Sequence, residues 1–175
     1  MFIPGIVITI VTFPGVIVHE LAHQLFCRWL KIPVFNVCYF QFDNPAGYVI
    51  HEIPKNTYHQ ILVGIGPFIV NTLLGAVIAM PASLAFFKFG NPQAMDYILI
   101  YLGVSIAMHS FPSTGDAASI TEAINGSKNI LVKIVGYPIV GIIYLGALGS
   151  VLWLDLIYGI GVAVLLPELI ILIFS

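Results

Sequence analysis

His19-Glu20-Leu21-Ala22-His23 sets two imidazoles at i and i+4 with a carboxylate beside the first. On an α-helix those positions share a face one turn apart, so both rings can reach one tetrahedral Zn²⁺ while the glutamate reaches a water on it. In chains of this composition the pattern arises by accident roughly 0.3% of the time, so packing coincidence does not account for it. A catalytic zinc takes three protein ligands and keeps its fourth position for water. The third is expected among polar residues stranded in apolar surroundings. His109-Ser110-Phe111-Pro112-Ser113-Thr114-Gly115-Asp116 is such a cluster, and Asp116 is the expected third ligand, with one zinc per chain.

The surroundings are a membrane's. Of 175 residues, 59% are hydrophobic and 8% charged, against about 45–50% and 25% in soluble domains. Six Lys plus Arg make nucleic acid an unsuitable partner. A bilayer crossing takes about 20 apolar residues, and residues 3–30, 58–87 and 97–124 each supply one. The run 130–174, about 67 Å as one helix, is expected to turn back near Gly149 to Asp155. The fold class is therefore an all-α polytopic membrane protein of about five transmembrane helices. Met1-Phe2-Ile3-Pro4 lacks the basic start of a cleaved leader, so the first run is expected to be retained.

Between the first two runs, β-prone residues 34–40 and 48–53 flank the turn-forming Asp43-Asn44-Pro45-Ala46-Gly47, which predicts a hairpin. Arg28, Lys31, Lys55, Lys128 and Lys133 fall on one side of the five spans and Lys88 on the other. The positive-inside rule makes the five-residue side cytoplasmic. The N-terminus is then outside, and the hairpin and C-terminus inside, where Cys27 and Cys38 stay reduced. Residues 1–175 form one membrane domain, with a catalytic core at 3–125, the hairpin at 34–53 and accessory helices at 130–174.

With His19-Glu20-Leu21-Ala22-His23 in the first span, Gly66-Pro67 and Asn71 in the second, and Pro112 to Asp116 in a broken third, the chain resembles the site-2 protease family of intramembrane zinc metalloproteases. The resemblance implies a three-helix catalytic core, zinc held by His19, His23 and Asp116, and cleavage of a membrane protein within or near its transmembrane segment. Where the family commonly carries Asn three residues before the proline, this chain has His109, and Ala117 follows Asp116 in place of glycine.

Glu20 is the expected general base, moving a proton from water to the leaving amine. A helical substrate must be unwound. The hairpin segment Gly47-Tyr48-Val49-Ile50-His51 offers an edge to which substrate adds as a strand, with Gly47, Tyr48, Val49, Ile50 and Asn71 as the expected substrate-binding residues. His109 is expected to donate to the oxyanion, whereas His51 and His59 are expected at the interface. Two rivals are a metal-binding membrane transporter, which gives no reason for the His-Glu-x-x-His pattern, and a catalytically silent zinc-stabilised scaffold, which would tolerate loss of Glu20.

Overall fold

The computed structural model describes residues 5–174. The expectations placed on Met1 to Pro4 and on Ser175 lie outside the described residues. The chain is mostly helical: α1 Gly5–Val11, α2 Phe13–Trp29, β1 Val34–Cys38, β2 Tyr48–His51, α3 Thr57–Phe87, α4 Ala94–Met108, α5 Thr114–Gly126, α6 Ile130–Gly149, α7 Leu154–Ile160 and α8 Leu166–Phe174. A 3₁₀ turn at Ser150–Leu152 precedes α7, and a π turn at Gly161–Leu165 joins α7 to α8. Two helical stretches, Thr57–Phe87 and Ile130–Leu152, are long and apolar enough to cross a membrane, and α1 with α2 makes a third if that pair is one span.

The pair is not the straight helix expected over 3–30, because α1 meets α2 at 82°. Pro14 has no N–H to continue the ladder. The Thr12 hydroxyl donates back to Ile8 O at 2.7 Å, which closes α1 locally. Bending lets the start of α2 press onto α4: a Cβ on Gly15 would lie 2.0 Å from Ser105 O and 2.5 Å from His109 Cδ2. Only glycine fits that crossing.

The third apolar run is broken, α4 ending at Met108 and α5 beginning at Thr114. Pro112 supplies the break, and Ser113 begins a new helix as its N-cap. α3 and α4 approach through glycine, a Cβ on Gly103 falling 2.6 Å from Ala79 Cβ and one on Gly75 falling 2.8 Å from Gly103 O. α5 and α6 close on α3 through Ala117, Ile120, Ile124, Val132, Val140 and Ile143, with Ile61 and Ile65 packed against them.

The C-terminal run corrects the expected return at 149–155. Asn129 donates to the Tyr58 hydroxyl at the start of α3, Val140 and Ile143 pack over Ile61 and Ile65, and the Tyr158 hydroxyl meets Thr72. Ser83 then donates to Val164 O, and Glu168 borders a cavity with Lys88. Contacts on α3 thus climb from 58 to 88 without reversing. Length alone misled because the helices are offset: Gly136 seats on Ile124 of α5, Gly146 on Phe111 in the break, and Gly159 on Met108 of α4. Trp153, with φ 62°, makes the sideways step from one half of the broken helix to the other.

The hairpin is present with shorter strands than expected. Antiparallel pairs Cys38 with Tyr48, Val37 with Val49 and Asn36 with Ile50 precede an irregularity that pairs Val34 with His51. It lies along α2, with the Tyr39 hydroxyl donating to Gln24 Oε1 at 2.5 Å and Phe40 stacked on Phe13 at 5.7 Å.

Candidate metal centre

One turn of α2 carries both histidines, and the first turn of α5 brings Asp116 to them. His19 Nε2 and His23 Nε2 are 3.2 Å apart, and His23 Nε2 is 3.4 Å from Asp116 Oδ1. One ligand atom from each of the three residues lies within 4.8 Å of the others, so the group could hold a metal ion.

The proton positions decide what this cluster is. His19 Nδ1 lies 2.8 Å from His109 O, and His23 Nδ1 3.0 Å from Val63 O. Carbonyls only accept, so each Nδ1 donates and each Nε2 is the ring atom turned inward. Two Nε2 atoms 3.2 Å apart with a carboxylate oxygen alongside form a donor set that a cation could bridge. Tetrahedral zinc with bonds of ~2.0–2.1 Å separates its ligand atoms by about 3.3 Å. The residues fit the ion, and fixing each ligand histidine through its other nitrogen is how metal-binding imidazoles are held.

Asp116 is aimed by its own helix cap. Ser113 N and Oγ donate to Asp116 Oδ2 at 2.7 and 2.6 Å, and Asp116 N donates back to Ser113 Oγ at 3.1 Å. Capping the helix and facing the histidines are two roles open to this carboxylate. It fills both, one oxygen for each. The cap has a second effect: Ser113 N, the helical partner that His109 O would otherwise have, is taken by Asp116, which leaves that carbonyl to His19.

Glu20 is buried at 9% exposure, and no hydrogen bond is formed by its side chain. Gly47 covers it so closely that a Cβ there would lie 2.7 Å from Glu20 Cγ. Glu20, His19, His23 and Asp116 open on one cavity of about 620 Å³, whose hairpin wall includes Gly47, Tyr48, Val49 and His51 and whose far wall includes Thr114 and Gly115.

Two expectations need correction. The His109 ring borders the cavity, but its Nε2 lies 2.8 Å from Thr12 Oγ1. That nitrogen is therefore engaged by Thr12, whose hydroxyl also lies 2.7 Å from Ile8 O, and is not directed at an oxyanion. Asn71 does not touch substrate space. It is 0% exposed, and its Nδ2 lies 3.2 Å from Gly15 O, Ile106 O and His109 O, binding three chain segments together. Ile50 stays within β2, with its side chain turned outward at 51% exposure.

Sequence reasoning put His51 at the end of the hairpin edge but gave it to the interface rather than to the cavity wall, and it missed Thr12 as partner of His109 and the carbonyls of Val63 and His109. Part of this was readable. Ser-x-x-Asp at 113–116 is a capping pattern, and Pro67 announces an unpaired carbonyl four residues earlier. Comparison with protein-family models, with curated proteins and with solved structures finds no match to this chain.

Proposed function

We propose that the chain is an intramembrane zinc metalloprotease of the site-2 kind, hydrolysing a peptide bond in or near the transmembrane segment of a membrane protein. One observation carries the reading: two imidazole Nε2 atoms and a carboxylate oxygen converge beside a buried glutamate that has no hydrogen-bond partner among the described residues. A purely structural site has no use for that glutamate, and a closed one would offer a fourth protein ligand.

His19, His23 and Asp116 would hold the ion. When bound, zinc polarises a carbonyl and makes water a nucleophile at neutral pH. Glu20 takes the water's proton and delivers it to the leaving amine nitrogen as the C–N bond breaks. Gly47 keeps Glu20 covered on the hairpin side, and its lack of a side chain lets substrate backbone approach. β2 supplies partners for a substrate unwound from its own helix.

The bilayer is the proposed setting. α3 and α6 have mean hydropathies of 2.2 and 2.0, and Arg28, Lys31, Lys55 and Lys128 gather at the hairpin end while Lys88 lies at the other. By the positive-inside rule that asymmetry supports a cytoplasmic hairpin. The C-terminal leg, rising beside α3, ends on the opposite face.

The test is co-expression with a library of single-span proteins, together with zinc analysis of purified protein. Wild type should bind one zinc and release fragments. Glu20→Gln should keep the zinc and let full-length substrate accumulate. Equal fragment release by both would remove Glu20 from the reaction, and zinc retained with no fragments from either would leave a silent scaffold.

A further inference from the structure

Gly47, Val49 and His51 lie at alternate positions of one extended segment, so their Cβ atoms share a face. The direction of that face is fixed at Gly47, where a Cβ would lie 2.7 Å from Glu20 Cγ. Val49 and His51 line the same cavity, and the intervening Ile50 is turned outward. The irregularity in β1 between Val34 and Asn36 sits opposite Ile50 and His51. Such bulges twist a strand and re-aim its side chains next to functional sites.

His51 is also oriented. Its Nδ1 lies 2.8 Å from Glu52 O, so Nδ1 carries the hydrogen and Nε2 is left as an acceptor. Neither ring nitrogen has another partner. The cavity therefore has an acceptor on its hairpin wall four residues along from the point over Glu20, roughly 13 Å at strand rise. Val49 makes the ground between them apolar.

Resting on the metalloprotease reading, we infer that His51 is a specificity-determining residue whose Nε2 accepts a hydrogen bond from a donor side chain, hydroxyl or amide, four residues from the substrate's scissile bond. Val49 faces the residue midway and selects an apolar one. The substrate class is then a transmembrane segment with a Ser, Thr, Asn or Gln at that spacing. Such residues also loosen the substrate's own helix by competing for its backbone groups.

Two measurements test this. Single-span peptides carrying Ser, Asn, Ala or Leu at each position in turn are bound to Glu20→Gln protein in detergent, and the same peptides are cleaved by wild type with the cut mapped by mass spectrometry. Ser or Asn four residues from the cut should raise kcat/KM by about three- to tenfold over Leu, and tighten Kd by the same factor in the inactive variant. His51→Leu should erase the preference with zinc content unchanged, and His51→Gln, which keeps an acceptor, should retain part of it. Binding that is indifferent to the donor, or a preference that survives His51→Leu, overturns the inference. Failure of the protease reading looks different: the His51-dependent binding preference holds while no peptide is cut.

Discussion

Pro67 hands His23 its anchor. The carbonyl that His23 Nδ1 grips at 3.0 Å belongs to Val63, four residues before Pro67 in α3. A proline has no N–H to close that turn, so the acceptor stays open toward α2 and fixes which nitrogen of His23 faces the metal site. Pro67→Ala restores a competing donor inside the helix. The expected result is a folded protein whose zinc affinity falls by about 10–100-fold, read by competition with a chelator. Unchanged affinity would show that His23 needs no such anchor.

Ser113 is expected to couple helix capping to metal binding. Ser113→Ala removes the hydroxyl that bonds both Asp116 Oδ2 and Asp116 N. It should cost ~1 kcal/mol of stability and weaken zinc binding as well, whereas Ser113→Thr should preserve both. Thermal melts with and without chelator separate the two effects, and a stability loss identical in both conditions would uncouple them.

For His109 the ring and the backbone carbonyl predict different outcomes. His19 uses the carbonyl, which any residue supplies, so His109→Ala should keep its zinc. Its kcat should fall by less than about tenfold, against ~10²–10³ for loss of an oxyanion donor. A larger fall in kcat with KM and zinc intact would return the ring to catalysis.

Gly15 and Asn71 test the crossing of α2 over α4. A methyl at Gly15 has no room beside Ser105 O, and Asn71→Ala removes the amide that ties Gly15 O in α2 to Ile106 O and His109 O at the end of α4. Asn71→Ala should lose about 1–3 kcal/mol, and Gly15→Ala at least as much. The KM of the remaining folded Asn71→Ala should not move. A raised KM at full stability would put Asn71 in contact with substrate.

The course of the C-terminal leg can be read by cysteine labelling. In a background lacking Cys27 and Cys38, cysteines at Asn91 and Ile173 should react with an impermeant reagent from one side of the membrane, and cysteines at Asn56 and Asn129 from the other. Ile173 reacting together with Asn129 would restore the returning helix.

The chemistry was legible in the sequence because it depends on local spacing. His19 and His23 share a face through helical periodicity alone, the hairpin follows from turn residues between β-prone runs, and the break before Asp116 follows from a proline among polar residues. These rules act over a few positions, and no neighbour is needed to state them. Tertiary structure decided where the remaining groups point. His109 and His51 are the same residue type in equally ambiguous settings, yet one ring is paired with Thr12, 97 positions away, while the other bonds only the neighbouring Glu52 carbonyl among the described residues and borders the cavity. Asn71 seemed available for substrate until three carbonyls from α2 and α4 closed around it. Length set an upper limit on how far residues 130–174 could reach. Their direction depended on glycines at 136, 146 and 159 finding seats on α5, the break and α4 in turn, because apolar contact carries no direction until the partner surface exists.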